Sequence, residues 1–241
     1  MAKLEAYDKT LDYSYAPGIF PATECLKNAK KRCMRLLVSS NGLQSEGVQA
    51  LERDAQEADI RVEVADRALE RISKKENCFA AMVYKKAEGR FDEDSPHIVL
   101  HHPSDSGNLG TILRTALGFG LKNIAIIRPA VDSDDPRVVR ASMGAVFRMA
   151  LPQITEEEAL AQCREKKLML TVTALNEQAV DIRSADLTNA VAVIGSEGQG
   201  VRKSILDAAE QSVIIPMQPH CESLNAAVAA AIVMWQMKNG N

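Results

Sequence analysis

After residue 96 the chain settles into one rhythm. HIVLHH, IAIIRP, LMLTVTAL, AVAVIG and SVIIPM are short runs of Val, Ile and Leu. Between them lie helical patterns such as LGTILRTALGFG, PRVVRASMGAVF, EEEALAQCREKK, VRKSILDAAE and LNAAVAAAIVMWQ. Strands this uniformly apolar have no polar face to offer water, so they are buried on both sides. An α/β repeat of roughly 25 to 35 residues then implies a parallel sheet covered by helices. In such a sheet, ligands sit beyond the carboxyl ends of the strands, where loops and helix starts gather.

The polar, acidic stretch EGRFDEDSP, Glu88 to Pro96, separates this half from an earlier one and is read as a domain boundary. Before it, RLLVSS, IRVEVAD and CFAAMVYKK read as strands, and GVQALERDAQEAD and RALERISKK as amphipathic helices. The expectation is a small βαβαβ domain over residues 25–92, a larger domain over 96–241, and an extended arm over 1–24. In that arm Tyr7, Tyr13, Tyr15, Pro17, Gly18 and Pro21 follow no period. A chain of 241 residues, 46% of them apolar, can bury cores for both domains. No run nears the roughly 18 apolar residues of a membrane span, and Met1 to Thr10 lacks an apolar signal core, so a cytosolic protein is expected.

Five scattered cysteines without a CxxC pair suggest neither a disulfide framework nor a zinc site. A net charge of -3 and a pI near 5.9 exclude nucleic-acid binding by global charge alone. A local patch remains: KNAKKRCMR carries Lys30, Lys31 and Arg32 with no acid between them. It reads either as a phosphate-contacting surface or as a solvated helix face.

Three polar clusters fall where strands end. In SGNLGTILRTA, Asn108 is placed to cap a helix beginning near Gly110, with Arg114 about one turn in. GSEGQG follows AVAVI directly. Its order Gly195, Gly198, Gly200 is not GxGxxG, and it lacks the GK[ST] of a P-loop, so its glycines are read as room for close backbone approach. In IIPMQPHCESLNAAVAAA, Ser223 is placed as a helix cap, which leaves Asn225 in an apolar helix start without a structural reason. His220, Cys221 and Glu222 are discounted as a triad, because sequence neighbours rarely converge on one atom. The alanines of the last helix suit either the core or a subunit interface.

NLGTILRTA, VIGSEGQGV and IPM followed by SLNAAVAAA resemble, in order and spacing, the three motifs of the SpoU/TrmH branch of the SPOUT RNA methyltransferases. ASMGAVF, Ala141 to Phe147, resembles a family segment between the first two motifs, and the resemblance runs from His97 to the C-terminus. The N-terminal half resembles, in length and βαβ layout, the ribosomal-protein-like RNA-binding domain that precedes many members. ENCFAAMVY departs from the histidine- and glycine-containing turn many relatives carry there.

The resemblance implies an α/β fold whose C-terminal parallel-sheet domain is threaded as a deep trefoil knot, an exception to the rule against knots. It also implies S-adenosyl-L-methionine bound in that knot, a homodimer, and tRNA or rRNA as substrate. By motif position Gly195, Gly200, Ile215 and Leu224 line the cofactor pocket, and Ala174 and Leu175 join them. Arg114 matches the arginine that activates a ribose 2′-hydroxyl, and Glu197 would pair with or orient it. Asn108 would hold the first loop or the ribose, and Ser223 and Asn225 the hydroxyl and the knot loop. Lys30, Lys31 and Arg32 would contact RNA. No metal is implied, because a sulfonium already supplies the activated leaving group. Two other readings stand beside this one: a non-catalytic RNA-binding or assembly protein on the same fold, and a SPOUT enzyme that methylates a base.

Overall fold

A computed structural model of the chain describes residues 4–73, 78–89, 98–174, 176, 178–188, 190–196, 198–218, 220 and 223–239. The elements of the first part are β1 (Tyr13–Pro17), α1 (Ile19–Asn28), β2 (Cys33–Val38), α2 (Glu46–Glu57), β3 (Arg61–Val64), α3 (Asp66–Ser73) and β4 (Ala80–Lys85). Then follow β5 (Ile98–His101), α4 (Ser106–Gly118), β6 (Ile124–Ile127), α5 (Pro136–Ala141), β7 (Gln153–Ile154) and α6 (Glu156–Glu165). The last are β8 (Met169–Thr173), β9 (Val180–Asp181), β10 (Ala190–Ile194), α7 (Lys203–Ala208), β11 (Gln211–Ile214) and α8 (Ala226–Asn239). Contacts divide the chain into two units, one of Met1–Ala87 with Asp132–Arg148, the other of Glu88–Val131 with Met149–Asn241.

The first unit holds a four-stranded sheet in the order β1-β4-β2-β3, with β2 and β3 parallel and β4 antiparallel to both β2 and β1. Helix α2 buries Val48, Leu51 and Ala55 on one stripe, the spacing that its amphipathic pattern predicts. The expected extended arm is corrected over its second half: Tyr13–Pro17 is a strand in register with β4, Tyr15 opposite Val83, and α1 follows at once. YSYAP hides this because both faces are covered, so no polar alternation appears. Pro17 ends the strand, where a missing N–H costs little, and Gly18 turns the chain at φ 104 into a helix whose first turn accepts Pro21.

The segment Asp132–Arg148 also belongs to this unit, although its sequence was read with the C-terminal domain. Asp132 accepts hydrogen bonds from Tyr7 Oη at 2.6 Å and Lys86 Nζ at 2.8 Å. Asp134 accepts from Tyr84 Oη at 2.9 Å and lies 3.3 Å from Arg32 Nη2. Phe147 meets the Tyr84 ring edge to face at 4.9 Å. Burial holds the Asp134 carboxyl above its ordinary range, against the opposing pull of Arg32 and Tyr84.

The second unit holds the expected parallel sheet, seven strands in the order β7-β6-β5-β10-β8-β11-β9, with every neighbouring pair parallel. Its central strands β5, β6 and β10 are buried at every residue, which is what their unbroken apolar runs require. Among the described residues no helix is long and apolar enough to cross a membrane.

Candidate active site

Two helix starts meet at the carboxyl ends of the central strands. Helix α4 begins at Ser106, and its cap is Asp105, whose carboxylate accepts the Asn108 backbone N–H at 2.7 Å. The expected cap at Asn108 is thereby corrected: an aspartate three residues earlier takes the position, and Asn108 falls in the first turn. Arg114 then stands in the third turn, roughly 12 Å along the axis from Ser106 at 1.5 Å per residue. It is exposed, and among the described residues its guanidinium has no ion-pair partner.

The second start is that of α8. Its cap is Asn225, not Ser223: Asn225 Oδ1 accepts the backbone N–H groups of Ala227 at 2.9 Å and Val228 at 3.3 Å. The Nδ2 of the same carboxamide donates to Asn108 Oδ1 at 2.9 Å. The asparagine that had no structural reason in sequence therefore has two. Its oxygen closes one helix end and its nitrogen ties that end to the first turn of another.

Beside this junction lies a cavity of about 400 Å³. Thr173 and Ala174 reach it from β8, Gly195, Ser196, Gly200 and Val201 from the loop after β10, and Ile215, Met217, Ser223 and Leu224 from the segment between β11 and α8. The loop after β10 is closed on itself, with Ser196 and Gly200 exchanging backbone hydrogen bonds at 3.3 and 3.0 Å. A Cβ at Gly195 would lie 2.5 Å from the Gly200 carbonyl carbon. Glycine is thus demanded at 195 by the loop's own backbone, while Gly200 is demanded by its φ of 62. Leu175 and Glu197 lie outside the described residues, as do Cys221 and Glu222.

The basic patch divides. Helix α1 ends at Asn28, and Lys30–Arg32 form a 3-10 turn leading into β2, so the patch is no helix face. Lys30 and Lys31 are exposed. Arg32 instead pairs with Asp134, donates from Nε to the Lys85 carbonyl at 2.8 Å and lies 5.2 Å from the Tyr84 ring centroid. Its charge is spent inside its own unit, which corrects its placement among free phosphate contacts.

A second polar group at the same sheet edge escaped the sequence reading. His101 ends β5, level with Ile127 of β6, and His102 follows with φ 52. The two rings meet edge to face at 4.1 Å and both turn their Nε2 toward Glu156 Oε1, at 3.3 and 3.4 Å. Glu156 also receives Arg202 Nη1 at 3.0 Å and Ser204 Oγ at 2.6 Å. Burial alone would raise its carboxyl; the hydroxyl of Ser204, the two imidazoles and the Arg202 charge bring it down to about 2. The available signal was the adjacent histidine pair at a strand's carboxyl end. Its partners lie far along the chain, and successive strand residues normally face opposite ways.

The residues 95–235 match the model of the SpoU rRNA Methylase family. An uncharacterized tRNA/rRNA methyltransferase of Synechocystis sp. is 31% identical over 58% of this chain and 52% of its own length. A putative TrmH family tRNA/rRNA methyltransferase of Staphylococcus aureus is 33% identical over 58% of this chain and 57% of its own. The matched part thus spans little more than half of these curated relatives. Among solved structures, an rRNA methyltransferase from Sinorhizobium meliloti superposes with a TM-score of 0.82 at 22% identity, over 95% of this chain and 88% of that one. An RNA 2′-O ribose methyltransferase does so at 0.74 and 26% identity, over 94% and 88%.

Proposed function

The chain belongs to the SpoU rRNA Methylase family, and from that premise we propose that it is an S-adenosyl-L-methionine-dependent RNA methyltransferase acting on a ribose 2′-hydroxyl of tRNA or rRNA. The observation that carries the reading is one cavity with walls from two motifs, Gly195 and Gly200 from one and Ile215, Ser223 and Leu224 from the other. The Asn225–Asn108 bond joins the third motif to the first at its side. Apolar side chains facing a loop of close backbone suit an adenosine with a thioether arm. Solved relatives support the cofactor: the S. meliloti enzyme has an AdoMet-bound form, and AviRb of Streptomyces viridochromogenes, a SpoU methyltransferase, was solved with AdoMet. The bound cofactor supplies a methyl group on a sulfonium, and this chain's residues present the acceptor to it.

In this reading the Arg114 guanidinium orients the 2′-hydroxyl against a neighbouring phosphate, which shares the departing proton. Glu197 would pair with or orient Arg114. Asn108 and Asn225 hold the two helix starts at fixed separation, and Ser223 reaches the hydroxyl. Lys30 and Lys31 meet RNA phosphates. The threading is the family's trefoil knot, and the protein works in the cytoplasm. It does so as a homodimer, covering the groove of α4 and α8, where Val228 and Trp235 are 48% and 57% exposed.

The test is incubation with methyl-labelled cofactor and total RNA, followed by digestion to nucleosides. The expected products are 2′-O-methylated nucleosides. A labelled base in place of ribose would establish the base-methylating alternative. Cofactor binding without product across tRNA and rRNA would leave a non-catalytic RNA-binding protein.

A further inference from the structure

The group at His101 and His102 has no part in the methyl-transfer reading, and its geometry is unusual in three respects. First, adjacent residues converge. In continued strand geometry the two side chains would point to opposite faces, and only the left-handed backbone of His102, φ 52, swings both rings to one side. Second, two imidazole Nε2 atoms are aimed at a single carboxylate oxygen, Glu156 Oε1. The Nδ1 of His102 lies 3.1 Å from the Pro129 carbonyl oxygen, which can only accept, so Nδ1 carries the proton. Its Nε2 is thereby aimed at the carboxylate oxygen Oε1 of Glu156, 3.4 Å away. Third, His101 is 1% exposed at its side chain, and among the described residues its Nδ1 has no hydrogen-bond partner while Nε2 faces Glu156.

A cation between the three inward atoms is reached by all of them, His101 Nε2, His102 Nε2 and Glu156 Oε1. Tetrahedral Zn²⁺, with bonds of about 2.0–2.2 Å, holds its ligands about 3.3–3.6 Å apart. The two distances from Glu156 Oε1 to the imidazole nitrogens are 3.3 and 3.4 Å, and the three ligand atoms lie within 4.8 Å of one another. The carbonyl of Pro129 on the far nitrogen of His102 is the support that metal-binding imidazoles ordinarily have. Two imidazoles and one carboxylate form a borderline donor set suited to Zn²⁺ rather than to Mg²⁺ or Ca²⁺.

We infer that His101 Nε2, His102 Nε2 and Glu156 Oε1 form a binding site for one divalent transition-metal ion of the Zn²⁺ type, with Arg202 as the competing cation. Arg202 Nη1 sits 3.0 Å from the same Oε1 and its side chain is 55% exposed, so it can withdraw to solvent and leave a fourth position for water. Ser204 stays on Oε2 and keeps the carboxylate aimed. The site replaces the sequence expectation of no metal, and it rests on no assumption about the transferred methyl group.

The experiment is titration of the untagged full chain with Zn²⁺ by calorimetry and with Co²⁺ by absorption. Stoichiometric one-to-one binding is expected, with the visible bands of tetrahedral Co²⁺ and no thiolate charge-transfer band. His102→Gly, which keeps the left-handed backbone, should weaken binding by more than the about 10–100-fold lost when only a group supporting a ligand is removed. Arg202→Gln, an exposed change that leaves folding intact, should tighten binding several-fold. Failure of the wild-type chain to bind either ion would overturn the site, as would binding unchanged in His102→Gly. A thiolate band would move the metal to cysteines and equally overturn it.

Discussion

Two polar constellations stand at the carboxyl ends of one parallel sheet, and they are built by opposite means. The pair Asn108 and Asn225 is neutral, joined by a single hydrogen bond of 2.9 Å, and each member sits at a helix start for a local reason. The group of His101, His102, Glu156, Arg202 and Ser204 is charged, crowded on one carboxylate, and assembled from a strand end and two helix starts. Neutral amides fix positions without setting a strong field, which suits a junction beside a cavity that must take an incoming ligand. A carboxylate with four polar neighbours stores charge, which suits an ion or a pinned loop. The difference teaches that one sheet edge can host two separate chemistries when different strands and helices supply them.

The comparison breaks most sharply at Arg114. Arg114→Ala should lower methyl transfer by about 10²–10³-fold, the loss expected when a donor to developing negative charge is removed. Cofactor binding should change little, because Arg114 is absent from the residues around the 400 Å³ cavity. Rates and cofactor affinity measured on one preparation check both halves, and a fully active variant would remove Arg114 from the chemistry altogether.

Glu156→Gln is the matching change in the charged group. It leaves Arg202 and two imidazoles around a neutral amide, so stability should fall by about 1–3 kcal/mol, the cost of partners left unmatched. The urea midpoint reads this directly. A midpoint unchanged from wild type would mean that the cluster is not the electrostatic anchor its distances describe.

How far each constellation was legible in sequence follows from the same contrast. The parallel sheet was legible because β5, β6, β10 and β8 announce two-sided burial by composition alone. Asn108, Gly195 and Asn225 were legible as a set because ordered motifs carried them, yet both caps were misplaced by two or three residues. Asp, Ser and Asn compete for one cap position, and only backbone geometry decides between them. The arm at Tyr13–Pro17 was missed because a strand covered on both faces loses its alternation. The histidine group was missed because no local rule joins His101 to Glu156 or to Arg202, and because the turn that makes it depends on one positive φ.

At Asn225 the two roles of one carboxamide separate by substitution. Asn225→Ala removes cap and tie together and should cost about 1 kcal/mol. Asn225→Asp keeps the cap but has no N–H to donate to Asn108 Oδ1, so only the tie is lost and stability should stay within about 0.5 kcal/mol of wild type. Thermal midpoints of the two variants resolve this, and equal losses would show that the tie to Asn108 rather than the cap carries the effect.

The smallest expected effect lies within the first unit. Lys30 and Lys31 are exposed, whereas Arg32 is paired with Asp134, so of the three only the two lysines are proposed as phosphate contacts. Changing both lysines to alanine should reduce the slope of log affinity for RNA against log salt by about 1.4, at about 0.7 per phosphate contact on a single strand. Arg32→Ala should leave that slope in place and lower the unfolding midpoint instead, because it strips Asp134 of its cation and Tyr84 of a stacked guanidinium. Fluorescence anisotropy across a salt series measures the first effect and denaturation the second. If Arg32→Ala flattened the slope as much as the lysine pair does, its ion pair with Asp134 would have to open when RNA binds, and Tyr84 and Asp134 would become part of the RNA surface.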